Sequence, residues 1–257
     1  MSNSKTSRIV VAPGGTRGIG LATAARFSEN GDTVIVASRQ NRPEVEALRG
    51  VEFFEADMTS ADAPDKLIRH VIRKHGRIDI LINCVGGGII RADPVGLSDE
   101  VWFEMLTRSF FYAVRTCRAA IPHMPKGSVI INISTQNAQL PEAIVIDYCA
   151  AKAALESFTK SLATHLAPDG FRVNAISPGP VTTPHWTEPG GWGEQLQERF
   201  GGVSIPEVLK QIEAMLPLKR FTEPSEVASI AFFLASDEAP TLTGANIRID
   251  AGATPFI

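Results

Sequence analysis

Short, continuous apolar runs rich in Val and Ile alternate along this chain with longer stretches of helical period, and that alternation limits the possible folds more than any other feature. The runs "RIVVA", "TVIVAS", "VEFFEAD" and "IDILINCVG" are separated by "GIGLATAARFSENG" and "APDKLIRHVIRKHG". A strand that shows no polar alternation is covered on both faces, which is the condition of a parallel strand whose crossovers lay helices across the sheet. The rhythm continues through the helical stretch Asp99 to His123, the strand "SVIINIS", the helix Tyr148 to Leu166 and the strand "RVNAISPG", then after a long insertion "PSEVASIAFFLAS" and "ANIRIDAG". The sequence therefore predicts an α/β fold, one doubly wound parallel sheet of about seven strands with helices on both faces. With no linker, repeat or low-complexity run, residues 1–257 are expected to form a single domain. The irregular stretch Pro184 to Arg220, holding "WTEPGGWG", is too long for an ordinary connection and reads as a lid or substrate loop.

Composition removes several functions. With 25 basic and 28 acidic residues the net charge is −3, and no basic stripe is visible, which argues against a nucleic-acid partner. Cys84, Cys117 and Cys149 lie far apart, neither paired as in a zinc site nor even in number as in a disulfide framework, so no structural metal and a reducing compartment are expected. The start "MSNSKTSR" runs straight into the first apolar strand without a leader-like apolar stretch, and no run is long enough to span a bilayer. A cytoplasmic protein without membrane contact is the expectation.

The first strand leads into "APGGTRGIG", which puts Gly14, Gly18 and Gly20 at the turn into the first helix. Glycines there let backbone N–H groups approach a pyrophosphate, whose charge a helix N-terminus favours. In this position, at the head of a βαβ unit, the motif predicts a Rossmann-type dinucleotide site, with Thr16, Arg17 and Ile19 of the same loop as further contacts. A carboxylate at the end of the second strand would select NAD through the ribose 2′-OH. That place holds Ser38 and Arg39 instead. Arg39, flanked by Arg17, suits a 2′-phosphate, so NADP(H) is predicted over NAD(H).

The stretch "DYCAAK" sets a phenol and an ammonium four residues apart, on one face of a helix. An ordinary Tyr, with a pKa near 10, is a poor base at neutral pH; a drop of about three units, worth roughly 4 kcal/mol, is what a neighbouring cation would have to supply.

Taken together, "GGTRGIG", "NCVG", "YCAAK" and "SPGPVTTP", in that order and with the late "RIDAG", resemble the short-chain dehydrogenase/reductase family from Arg8 to Gly252. The resemblance implies that Tyr148 is the general acid or base for a carbonyl or alcohol. It implies that Lys152 lowers the phenol's pKa and binds the nicotinamide ribose. A hydroxyl donor for the carbonyl oxygen is also implied. Residue type points to Ser134, whereas aligning "NIS" with the family's usual double serine points to Thr135; Ser134 is taken as the candidate. By position, Asp57 and Met58 would face the adenine, and Asn83 and Gly86 the adenosine ribose. Pro178, Gly179, Val181 and Thr183 would meet the nicotinamide end. Asp57 also reads as an N-cap with Thr59.

Two departures from the family pattern stand out. Ser109 falls where the family usually has an asparagine that holds a proton-relaying water. Pro13 replaces the threonine that usually opens the glycine loop, which removes a donor. The expected substrate wall, Gly87 to Ile90, Gln136, Pro141 to Ile146 and the loop residues Trp186, Trp192 and Phe200 beside His185, is mostly apolar and suits a small hydrophobic ketone or secondary alcohol. The alternative is a non-catalytic NADP-binding sensor or partner subunit on the same fold. The resemblance further implies a homotetramer built on the Asp99–His123 and Tyr148–Leu166 helices and the last strand.

Overall fold

The computed structural model describes residues 7–91, 93 and 95–256; residues 1–6, read above as free of an apolar leader, lie outside them. Chain order is β1 (Ile9–Pro13), α1 (Gly18–Glu29), β2 (Thr33–Ser38), the single turn α2 (Pro43–Glu46), β3 (Val51–Glu55), α3 (Ala63–His75) and β4 (Ile80–Asn83). Then come α4 (Asp99–Leu106), a π-helical turn (Thr107–Phe111), α5 (Tyr112–Ala120), β5 (Val129–Ile133), α6 (Ile146–Leu166) and β6 (Arg172–Pro178). The segment 184–220 contains the short turns α7 (Pro184–Thr187) and α8 (Trp192–Gln195) and the helix α9 (Ile205–Met215), and α10 (Pro224–Leu234) and β7 (Asn246–Ile249) close the order. Among the described residues the strands form one seven-stranded parallel sheet, ordered β3-β2-β1-β4-β5-β6-β7.

Strand period explains the layers. Ile9 and Val11 of β1 point to one face with Leu81, Ile130 and Val173, where Leu67, Ile68 and Val71 of α3, Cys117 and Ala120 of α5 and Leu166 of α6 cover them. Val10 and Ala12 point to the other with Val34, Ile82 and Ile131, under Phe27 of α1 and Val227, Ala231 and Leu234 of α10. Both faces are sealed, so the runs carry no polar alternation. The stretch Asp99 to His123, expected as one helix, is broken by the π turn at Thr107–Phe111 and ends in a 3-10 turn at Ile121–His123.

At the amino end of the sheet Arg8 grips Asp32 through two nitrogens, at 2.9 and 2.6 Å, and donates to the Ala235 carbonyl at 2.9 Å. Phe27 meets Phe232 edge to face at 5.2 Å, with Arg8 over both rings. Phe27 is fully buried between α1 and α10. Phe27→Ala is expected to lower unfolding stability by about 3–5 kcal/mol, read as an earlier midpoint in denaturant unfolding; a midpoint unchanged from wild type would refute this packing.

Candidate functional site

Parallel strands end together, and the carboxyl edge of this sheet opens into a cleft of about 1530 Å³ that runs from the glycine loop past α6 to the 184–220 segment. At its floor Gly14, Thr16, Arg17, Gly18, Ile19 and Gly20 line the wall. Gly14 sits at φ +84°, and a Cβ there would stand 2.6 Å from the Cys84 carbonyl oxygen. One on Gly20 would run into the Gly14 carbonyl. The loop is thus pressed against β4 and against itself, and only glycine fits. Pro13 is accommodated inside β1: its carbonyl accepts the Cys84 N–H at 3.1 Å, and Gly14 N–H donates to the Ala37 carbonyl at 2.9 Å. Thr16 adds a side-chain brace, donating to the Ser38 hydroxyl at 3.0 Å.

At the end of β2, Ser38 and Arg39 line the cleft, as do Asp57 and Met58 after β3. Asp57 is also the local cap: its carboxylate accepts from the Thr59 hydroxyl at 2.7 Å and backbone at 3.0 Å, and these bonds hold it below the usual carboxylate range. Arg17 is engaged elsewhere, paired with Glu188 of the 184–220 segment at 2.5 Å. Gly86, Pro178, Gly179, Val181 and Thr183 all reach the wall.

Asn83 does not. Its parity along β4 matches Leu81, so the side chain turns toward α5 and α6 and is fully buried. There its amide donates to Asn132 at 2.8 Å and toward the Cys117 sulfur at 3.4 Å, and Asn132 donates on to Thr159 of α6 at 2.8 Å. Asn83 therefore belongs to a polar tie between sheet and helix, and Cys84 and Val85 occupy the wall in its place.

Two hydroxyls, Ser134 and Thr135, follow β5. Ser134 continues the alternation of Asn132 toward α6, and its hydroxyl donates to Glu156 at 2.8 Å. The Thr135 hydroxyl opposes the burial that raises the Tyr148 phenol. Both residues line the cleft, Ser134 tied to Glu156 and Thr135 on the side of the phenol.

Tyr148 and Lys152 are both buried against the cleft. The Lys152 ammonium lies 5.9 Å from the Tyr148 ring centroid and donates to the Ile133 carbonyl at 2.7 Å. Burial pushes the phenol well above its ordinary value, with the Thr135 hydroxyl opposing. The lowered phenol expected from Lys152 is not what this arrangement gives. Burial brings Lys152 itself down to about 8, against the pull of Cys84 and Glu156. Ser109 sits in the π turn with its hydroxyl on the Met105 sulfur at 3.3 Å.

The far wall comes from the 184–220 segment. Trp192 donates its indole N–H to the Gly88 carbonyl at 2.9 Å and stands edge-on to Tyr148 at 6.4 Å; Gln195 accepts from the Ile90 N–H at 3.0 Å. His185 packs on Trp192 at 5.0 Å, and burial, with Arg108 and Arg17 nearby, lowers it to about 4. Ile90, Ile144, Trp186, Leu196 and Phe200 make this half apolar, while Glu100, Glu104, Arg108 and Arg199 bring to the wall charges that the sequence did not point to. Among the described residues no helix is long and apolar enough to cross a membrane.

The family model described as enoyl-(acyl carrier protein) reductase matches residues 14–254. The chain is 32% identical, over 95% of its length and 97% of the relative's, to 3-oxoacyl-(acyl-carrier-protein) reductase FabG of Thermotoga maritima. It is 31% identical, with 98% of each chain covered, to the 2,5-dichloro-2,5-cyclohexadiene-1,4-diol dehydrogenase LinX of Sphingobium indicum. Among solved structures it superposes on L-sorbose reductase of Gluconobacter frateurii, complexed with NADPH and L-sorbose, with a TM-score of 0.90 and 29% identity over 98% of both chains. Agreement in sequence and in fold over nearly the full length of oxidoreductases acting on such different substrates leaves one common denominator: the chain belongs to the short-chain dehydrogenase/reductase family of NAD(P)-dependent oxidoreductases.

Proposed function

We propose that this protein interconverts a small, largely apolar ketone and its secondary alcohol with NADP(H), using Tyr148 as general acid in reduction and general base in oxidation. The observation that carries the reading is the meeting of the Thr135 hydroxyl, the Tyr148 phenol and Lys152 at one spot of the cleft, beyond a glycine cradle that a Cβ would fill. A dinucleotide fits that cradle: Gly14, Thr16, Gly18, Ile19 and Gly20 offer backbone and space for a pyrophosphate, and Gly86, Pro178, Gly179, Val181 and Thr183 would hold its nicotinamide half. Arg39 and Arg17 suit a 2′-phosphate, and NADPH is bound by the L-sorbose reductase neighbour and by an actinorhodin polyketide ketoreductase with a TM-score of 0.88 and 25% identity. When bound, the nicotinamide gives or takes the hydride.

The chain's own residues manage the oxygen and its proton. The Thr135 hydroxyl donates to the carbonyl oxygen and fixes it beside the phenol. Tyr148 then gives its phenolic proton to that oxygen as negative charge builds there. A phenol pushed up by burial keeps its proton at neutral pH, which is the form an acid needs. Lys152, one helical turn away, stabilises the phenolate left behind. Trp192 and Trp186 pack edge to face at one wall, and Ile90, Ile144 and Leu196 favour an apolar substituent. The Ser109 hydroxyl, engaged on Met105, favours a second reading as a cofactor-binding subunit without catalysis.

The exposed Phe103, Phe111 and Ile146 on α4, the π turn and α6 support assembly as a homotetramer through these helices. Light scattering at micromolar concentration is expected to give four times the 27.7 kDa of the chain; a monomer mass refutes it. Tyr148→Phe is expected to cut NADPH-dependent reduction of hydrophobic ketones by about 10²–10⁴-fold while leaving NADPH binding intact. Equal rates would remove Tyr148 as the acid, and NADPH binding without turnover in wild type would favour the subunit reading. Arg39→Ala is expected to weaken NADPH by about ten- to hundredfold and leave NADH unchanged, measured by fluorescence titration; a parallel loss for both would break the 2′-phosphate assignment.

A further inference from the structure

We propose that Glu156 is a positioning residue of this site: its carboxylate ties the ends of β5 and β6 and the turn after Thr135 into one unit, and supplies the countercharge for Lys152. The proposal rests on the reading of Tyr148 and Lys152 given above. Residues 148, 152 and 156 follow one another at intervals of four on the same face of α6. Glu156 stands behind the cleft wall rather than on it. One carboxylate oxygen accepts from Ser134 at 2.8 Å and from Ser177 at 2.8 Å, and the other accepts from the Gln139 amide at 3.1 Å.

Each donor is a neighbour of a cleft element. Ser134 separates Ile133, whose carbonyl takes Lys152, from Thr135, which meets the phenol. Ser177 precedes the Pro178–Gly179 turn. Gln139 closes the 3-10 turn Gln136–Ala138 that Thr135 opens. The Ser177 hydroxyl also lies 2.7 Å from the Asn246 amide. A hydroxyl has one proton, and the Ser177 hydroxyl faces two acceptors, the Glu156 carboxylate and Asn246 Oδ1.

All three donors are neutral, and among the described residues no Lys, Arg or His nitrogen lies within 4.0 Å of the Glu156 carboxylate. The cation that answers it is Lys152, one turn earlier. Around Lys152 stand Tyr148 and Glu156 on α6 and Cys84 at the end of β4, with the Ser109 hydroxyl of the π turn near Gly86 on the same side. Burial brings Lys152 to about 8, so its charge in the neutral range depends on what opposes burial, and Glu156 is the carboxylate that does. Removing that charge moves the lysine's titration down, and with it the alkaline limit of an activity that needs the ammonium.

The test is Glu156→Gln, which keeps the shape and the two hydroxyl contacts while the Gln139 amide turns over. Nitrogen-15 NMR of the Lys152 ammonium, assigned by its disappearance in Lys152→Arg, is expected to shift its titration down by about one pH unit in Glu156→Gln, with the thermal midpoint near wild type. The alkaline limb of kcat/KM for NADPH-dependent reduction is expected to move down with it. Glu156→Asp, which retains the charge, is expected to keep the Lys152 titration closer to wild type than Glu156→Gln does, and serves if the glutamine variant is unstable. A Lys152 titration unmoved in folded Glu156→Gln overturns the proposal. A titration that shifts in Glu156→Gln while the wild-type protein binds NADPH but reduces no ketone supports the Glu156–Lys152 coupling and overturns the ketone-reduction reading instead.

Discussion

All seven described strands run in one direction, and from that constraint the rest follows. A parallel sheet gathers the carboxyl ends of its strands at one edge, and the segments leaving β1, β2, β3, β4, β5 and β6 converge there on one cleft. The glycine loop, the Ser38–Arg39 corner, Asp57, Gly86, Thr135 and the Pro178–Gly179 turn come from six separate strands, yet they border the same volume. The central strands are closed to water on both faces, since α3, α5 and α6 cover one and α1 and α10 the other. Chemistry can occur only at the edge.

The edge must hold charged and polar groups in a largely dry environment, and the structure does so by tying α6 to the sheet. Asn83, Asn132 and Thr159 form one tie in the buried layer; Ser134, Ser177 and Glu156 form another nearer the cleft. Asp147, fully buried beside Tyr148, is held by Arg91 at 2.5 Å and caps the Tyr148 N–H at 2.9 Å. Burial then acts in opposite senses on the two site groups: it raises the phenol, keeping it protonated, and lowers the ammonium, making its charge depend on neighbours. A helix free to shift would expose both and return them to ordinary values.

How much of this the sequence made legible depends on range. The strands were legible because both-face burial leaves an uninterrupted apolar run, and the glycine loop because its close approach to Cys84 and to itself admits no side chain. The Tyr148–Lys152 pair was legible from helical spacing. Asn83 was misjudged because, at a strand end, one residue decides whether a side chain follows the sheet's alternation into the helix layer or turns out to the cleft. Composition is silent on that. Glu156 gave no signal in the sequence, since its partners lie 17 to 22 residues away. The π turn at Thr107–Phe111 was not legible either, since the stretch Asp99 to His123 reads as one continuous helical pattern.

Arg17 shows how a correct local reading can be incomplete. From the loop alone it faces a phosphate; in the structure it holds Glu188 of the 184–220 segment, both side chains close to half exposed. A pair so exposed is worth at most about 1 kcal/mol, whereas a phosphate offers the same guanidinium several charge-assisted hydrogen bonds. On the proposed reading a 2′-phosphate and Glu188 compete for one cation, and the phosphate is the stronger partner. The segment does not depend on that pair for its place: Trp192 on the Gly88 carbonyl and Gln195 on the Ile90 N–H hold it over Tyr148 from the other side. On that reading, Glu188 is the partner Arg17 would give up, while the contacts of Trp192 and Gln195 at the other end of the segment do not involve Arg17.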